Sequence, residues 1–262
     1  MTIPQHEDAI RRFIEIVARL RAPDGCPWDR EQTHASIRQC LVEESAELLD
    51  AIEARDDVNM VEELGDVMMQ VVFHAQIAKE EGRFDIDEVA RHACEKLVRR
   101  HPHVFGEATV AGGAAALAQW EKIKQGEKAN ADRHSAISGV PRHLPALHRA
   151  QKMLKKAAKV GFDWPDEAAA FRKVEEELAE VRQAMASGTG EQVAEEIGDL
   201  LFAIVNLARY RDLYVEDVLH QAVAKFDGRF RLMEEELATR GKSVQDCPAE
   251  ELLAAWAQAK RR

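Results

Sequence analysis

The sequence is poor in aromatic residues, which make up 6% of its 262 positions and include only two tyrosines. Alternating β-branched runs set off by hairpin-turn signals are missing as well, which removes the usual signature of a sheet. Four cysteines (Cys26, Cys40, Cys94, Cys247) show no CxxC or CxxH spacing, so neither a zinc site nor a disulfide framework is indicated. No apolar run approaches membrane-spanning length, and the opening MTIPQHEDAIRRF carries acids where a signal peptide needs an apolar segment. Positive charge is also in deficit. The formal net charge of −11 argues against nucleic acid and anionic membranes as partners, although a small basic pocket for an anionic ligand stays compatible with it. Together these absences predict a soluble, cytoplasmic protein with reduced thiols.

What is present is helical periodicity. Phe171, Val174, Leu178, Val181 and Met185 recur at steps of three and four, as do Val193, Ile197, Leu200, Leu201, Ile204 and Leu207. In the first half, Leu41, Leu48, Leu49 and Ile52 form one stripe, and Val61, Leu64, Val67, Met68 and Val71 another. The chain therefore reads as all-α. Breakers divide it: Gly126, Gly139 and Pro141 stand among polar residues and mark 126–144 as a linker between helical domains at 1–125 and 145–262. A shorter break at 187–190 (SGTG) suits the turn of an αα-hairpin.

The two halves repeat. "EESAEL" at 43–48 is answered by "EELAEV" at 176–181, and "EELGDV" at 62–67 by "AEEIGDL" around 194–200, all with an offset of 133 residues. Glu43, Glu44 and Glu47 match Glu176, Glu177 and Glu180, while Glu63 and Asp66 match Glu196 and Asp199, with Gly65 over Gly198. Looser pairs follow: Lys96 and Arg100 with Lys225 and Arg229, and Trp120 and Lys124 with Trp256 and Lys260. Duplication into two similar helical units is the economical account.

Glu177 and Glu180 are three apart, so they share one helix face, and Glu196 and Asp199 do the same on the next helix. Antiparallel packing of the two helices would gather four carboxylates that repel one another unless a hard divalent cation binds there. Mg²⁺ is the natural choice and Mn²⁺ the alternative. Any one of these acids alone reads as a solvated helix face; the paired set, duplicated in register, favours the metal. Gly198, costly inside a helix, predicts a place where a backbone or a ligand comes close. His101 and His103 in "RRHPHVF" flank a proline and read as a capped turn after a helix, structural or near a phosphate.

E-E-x-x-E followed across a hairpin by E-x-x-D resembles the all-α nucleoside triphosphate pyrophosphohydrolases, and "GCPWD", "RRHPHVF", "HLPAL", "VGFDW" and "FAIVNLAR" resemble segments of the two-domain MazG family along essentially the whole chain. The resemblance implies tandem helical units with four-helix-bundle-like sites, and hydrolysis of NTPs or dNTPs to the monophosphate and pyrophosphate with Mg²⁺. It also implies a homodimer whose sites form within or across subunits. It makes Glu177, Glu180, Glu196 and Asp199 metal ligands, with Glu44, Glu47, Glu63 and Asp66 as the corresponding set in the first copy. Lys173, Glu176, Glu195, Asp199, Lys225, Arg229, Trp256 and Lys260 become substrate contacts. Glu176 is also a candidate general base, a role that the sequence does not separate from metal support.

At the shared offset Lys173 becomes Cys40, Asn206 becomes Phe73 and Arg209 becomes Gln76. The second copy thus keeps more polar and cationic equipment, and the main hydrolytic site is expected in 145–262. Rival readings are a nucleotide-sensing module without turnover, a scaffold or toxin-partner protein, and a di-iron bundle. The last typically uses Glu-x-x-His pairs, which none of the acidic motifs contains.

Overall fold

Asp8 begins the described chain by accepting hydrogen bonds from the Ile10 and Arg11 amides, capping helix α1 (Ala9–Leu20). The structure, a computed structural model, describes residues 8–127 and 135–261. Of the linker expected at 126–144, residues 128–134 lie outside the described residues. Every regular element among the described residues is helical. The chain divides into two compact units, 1–127 and 128–262.

In the first unit α1 is followed by α2 (Pro27–Glu31), α3 (Arg38–Ala54), α4 (Asp57–Glu80), α5 (Ile86–Arg100), α6 (Pro102–Phe105) and α7 (Gly113–Gly126). Helices α3 and α4 form an αα-hairpin. Arg55 turns the chain in the left-handed region at φ 53°, and Asp56 then caps α4 by accepting from the Val58 and Asn59 amides at 3.1 Å each. Val17, Ile37, Val72, Phe73 and Ile77 form the core, with Phe13, Ile14, Met68 and Ile86 packed against it. Arg21, its side chain only 6% exposed, pairs with Glu80, donates to the Asp29 and Gln32 carbonyls and lies over the Phe73 ring. One guanidinium thus fastens the ends of α1, α2 and α4, each of its nitrogens meeting an acceptor.

The second unit contains α8 (Ala146–Lys159), α9 (Glu167–Ser187), α10 (Gly190–Tyr210), α11 (Val215–Thr239), a single 3-10 turn (Val244–Asp246) and α12 (Ala249–Ala259). Its αα-hairpin is α9–α10, joined at Gly188 and Thr189. Thr189 and Gln192 form a reciprocal capping box, amide to side chain at 2.8 and 3.3 Å. Buried Gln151 on α8 spends both ends of its amide on the turn before α11, donating to the Leu213 carbonyl and accepting from the Val215 amide. The far half of α11 packs on α12 through Met233, Leu237, Ala255 and Ala259.

The repeat extends to local structure. Thr33 and Asp166, at the same offset of 133, each accept from the backbone amide three residues on, Ser36 and Ala169 respectively. The apolar stripes depart from expectation. Val181 is buried, yet Phe171 is 51% exposed and Met185 72%, and in the first hairpin Leu49 and Val61 are 65% and 71% exposed. Only part of each stripe is used to close its own hairpin.

Candidate active site

The second hairpin gathers the acids. Ligand oxygens of Glu177 on α9 and of Glu196 and Asp199 on α10 all lie within 4.8 Å of one another. Glu177 is buried, and Lys173, one turn earlier on α9, places its ammonium 2.7 Å from the Glu177 carboxylate and 2.6 Å from Glu176. These hydrogen bonds, Glu176 first, push the Lys173 pKa above its ordinary value and keep the ammonium charged. Glu180 stands beside the triad. Its carboxyl is pushed up, first by a hydrogen bond with Glu177 and then by burial, so it shares a proton more readily than a solvated acid. Glu180 and Glu196 also line a second, polar hollow of about 300 Å³ toward the hairpin turn.

The donor set fits a hard cation. Every available atom is a carboxylate oxygen, the ligand type that Mg²⁺ and Mn²⁺ favour. Oxygens at opposite corners of a Mg²⁺ shell lie roughly 4.2 Å apart, so the observed spread closes onto an ion with small side-chain shifts. In the described chain Lys173 provides the compensating charge.

Beside the triad a cavity of about 360 Å³ opens, lined by Lys173, Glu177 and Asp199 together with Phe162, Trp164 and Asn206. Along α10 its wall runs Asp199, Phe202, Ala203, Asn206, spaced i, i+3, i+4 and i+7 on one helix face. The acid and the amide therefore stand roughly 10 Å apart along the axis. Gly161, at φ +86°, turns the chain out of α8 into the 162–164 loop, a conformation that glycine adopts without a Cβ penalty. Asp163 then pins this loop to the end of α10 by accepting from Arg209 and from the Tyr210 hydroxyl at 3.0 Å. Burial, then the Asp163 hydrogen bond, raises the Tyr210 pKa, so the phenol stays protonated as donor. The Arg209 Nε also donates to the Asn206 side-chain oxygen at 2.9 Å. With that oxygen engaged, Asn206 offers its NH₂ to a ligand acceptor in the cavity.

The first hairpin repeats the triad: Glu44 on α3 with Glu63 and Asp66 on α4 again have ligand oxygens within 4.8 Å of one another. Glu47 is exposed and outside the triad, although its charge acts on Glu63. The Arg100 guanidinium and the Lys124 ammonium lie over the Trp120 ring at 5.0 and 4.7 Å, and Arg100 pairs with Glu127. His101 donates to the Leu97 carbonyl at 2.7 Å, and the His103 ring meets the Gln119 amide, as a capped turn requires.

Several predicted contacts stand apart from the cavity. Lys225 and Arg229 lie on α11, exposed and half-buried respectively, and neither lines it. Trp256 packs on Phe226 at 5.2 Å within the α11–α12 core, with Lys260 over its ring. Glu195 is exposed on α10. A Cβ added at Gly198, as at Gly65, would meet nothing within 4 Å, so the close approach expected at Gly198 is not made by the chain itself. Phe162, Asp163, Phe202 and Ala203 were not singled out from sequence. The available signal was the helical spacing from Asp199 to Asn206, whose intermediate positions face the same way.

A family model described as the MazG nucleotide pyrophosphohydrolase domain matches the chain twice, at residues 32–105 and 167–231, each match enclosing one acidic hairpin. The chain belongs to this family. Among MazG relatives, the nucleoside triphosphate pyrophosphohydrolase of Escherichia coli K12 is 46% identical over 258 residues, covering 97% of each chain. The nucleoside triphosphate pyrophosphohydrolase/pyrophosphatase MazG of Thermotoga maritima is 44% identical over 248 residues, 95% of this chain and 94% of that one. YabN of Bacillus subtilis, an uncharacterized protein, is 45% identical over 249 residues, which span 51% of its length. No helix among the described residues is long and apolar enough to cross a membrane.

Proposed function

We propose that the second unit hydrolyses nucleoside triphosphates to the monophosphate and pyrophosphate, with Mg²⁺ or Mn²⁺ held by Glu177, Glu196 and Asp199 and supported by Glu180. The observation that carries this reading is the junction of a three-carboxylate cluster with a largely apolar cavity that contains one cation and one amide donor. When bound, the cation supplies positive charge against phosphate oxygens and makes a water more acidic. The chain's own residues do the rest. Lys173 is carried at the cluster as a charged donor for the polyphosphate, and Glu176, beside it, accepts the proton of the attacking water. Phe162, Trp164 and Phe202 offer faces to a base, and the Asn206 NH₂ meets an acceptor on it. Stacking of this kind tolerates different bases, because each has a π-face.

In this reading MazG function needs a second copy. The apolar residues left exposed on both hairpins, with open space over Gly65 and Gly198, form surfaces that another copy of the same helices would cover. Lys225, Arg229, Trp256 and Lys260, set away from the cavity of their own chain, then approach nucleotide across that dimer.

Incubation with a panel of NTPs and dNTPs plus Mg²⁺ tests the chemistry. Monophosphate and pyrophosphate are expected, and diphosphate with orthophosphate rejects the proposed bond cleavage. Glu177→Ala should reduce turnover at least roughly 100-fold, by loss of electrostatic stabilisation. Glu44→Ala should leave most of it, and equal losses reject the assignment of catalysis to the second unit.

A further inference from the structure

The end of the cavity away from the triad carries a polar group that its neighbours hold in one orientation. Asn206, 8% exposed, stands in the wall on α10, and its side-chain oxygen accepts from the Arg209 Nε at 2.9 Å. A guanidinium only donates, so the amide atom that faces it is the oxygen and the NH₂ is turned the other way. Arg209 is itself fixed: its side chain is 12% exposed, and its other end donates to Asp163 in the 162–164 loop. The Tyr210 hydroxyl and the Trp164 amide donate to the same Asp163 oxygen, at 3.0 and 2.9 Å. One carboxylate thus sets two things at once. It fixes the course of the loop that carries Phe162 and Trp164 and, through Arg209, the direction of the Asn206 amide.

This chain of contacts is not a requirement of the fold. At the offset of 133 the first unit has Phe73, Gln76 and Ile77 in place of Asn206, Arg209 and Tyr210, and Phe73 and Ile77 belong to its core. Apolar side chains suffice there, whereas a largely buried arginine and its polar partners carry a desolvation cost that packing alone does not return. The polar version stands beside the cavity of the second unit.

The position of the amide says what it reads. Asp199 of the triad and Asn206 stand about two helical turns apart on one face of α10, with the triad at the phosphate end. In a nucleotide the base edge farthest from the sugar carries the exocyclic group, at C4 of a pyrimidine or C6 of a purine, and this group reaches a distal wall first. A carbonyl oxygen there accepts from the NH₂. An amino group sets donor against donor and leaves both without a partner.

We propose that the cavity prefers bases with a carbonyl group at this edge (uracil, thymine, guanine, hypoxanthine) over their amino counterparts, that Asn206 determines this specificity, and that Asp163 is a positioning residue acting through Arg209. The inference rests on the reading that the cavity receives the base of a nucleotide. Stacking accepts every base; the amide then grades them.

Steady-state kinetics of the full-length protein with Mg²⁺ compare ITP with ATP and UTP with CTP, pairs that differ at this edge alone. kcat/KM should favour ITP and UTP about tenfold, the effect of one hydrogen bond exchanged for an unpaired donor. Asn206→Asp keeps the shape but presents an acceptor, and should bring the ratios to one or below. Asp163→Ala should draw them toward one and raise KM more than it lowers kcat. Asp163→Asn, which keeps an acceptor for Arg209, should recover most of the preference. A merely structural role would weaken both members of a pair alike and leave the ratios unmoved; that result, or equal or inverted ratios in wild type, overturns the inference. Calorimetric binding of IMP, AMP, UMP and CMP reads the same preferences without turnover. Failure to hydrolyse any triphosphate therefore refutes the reaction and leaves this inference to the binding ratios, and four monophosphates that bind equally or not at all overturn it.

Discussion

At the scale of single residues, Lys173 separates the two copies. Its ammonium neutralises Glu177, whose side chain is 8% exposed, from a position itself 28% exposed. Removing one partner of such a pair leaves a buried charge without compensation; a fully buried pair would lose more, and partial solvent screening reduces the cost to about 1–2 kcal/mol. Lys173→Met should therefore lower the melting temperature in chelator, and Mn²⁺ should restore it by replacing the lost positive charge beside Glu177. A drop that persists at saturating Mn²⁺ would show that Lys173 acts through packing instead. The carboxylates and Lys173 were legible in sequence because their i, i+3 and i, i+4 spacings fix neighbours on a helix. Asp163 was not, since its partners Arg209 and Tyr210 are 46 and 47 residues away and only the folded loop unites them.

The element that matters most is the helical hairpin, and the first one should respond to pH. Burial first, then the charges of Glu47 and Asp66, raises the Glu63 pKa; burial first, then Asp66, raises that of Glu44. A carboxyl whose folded pKa exceeds its unfolded one binds more protons when folded, so it stabilises at low pH and loses that effect as pH rises through the folded value. Metal-free protein should thus lose stability from the ordinary carboxylate range upward, and saturating Mn²⁺ should flatten or reverse the trend, as thermal melts over a pH series rising from that range would show. Glu127 works in the opposite sense. The Arg100 hydrogen bond holds it at about 2, so its contribution is present at neutral pH and fades as pH falls from the ordinary carboxylate range through about 2. Helix type was readable from periodicity and the second hairpin from the SGTG break, whereas the turn of the first at Arg55 and Asp56 was not. The use of each stripe was not, because periodicity identifies an apolar face without saying whether the same chain covers it. Leu178 and Ile197 lie on such faces and remain 40% and 44% exposed.

For the whole molecule, those uncovered faces make self-association the central expectation, and the helical glycines provide a probe. Gly198→Ala meets no atom of its own chain, so it should gain about 1 kcal/mol of helix propensity. If a second copy packs over this position, the added methyl should weaken the dimer while raising the stability of the dissociated chain. Sedimentation equilibrium beside thermal melts separates the two effects, and an unchanged dimer places the interface elsewhere. The duplicated architecture was legible because five acids keep one offset, and the asymmetry of the copies because Cys40, Phe73 and Gln76 replace Lys173, Asn206 and Arg209; the burial of Gln70 and Phe73 became visible only in the fold. Each acidic triad comes from two helices adjacent in sequence, so like charges meet as soon as a hairpin zips, before distant parts of the unit arrive. The second hairpin brings its compensating ammonium one turn upstream at Lys173, whereas the first has Cys40 there, so the zipping of the first should slow more as ionic strength falls.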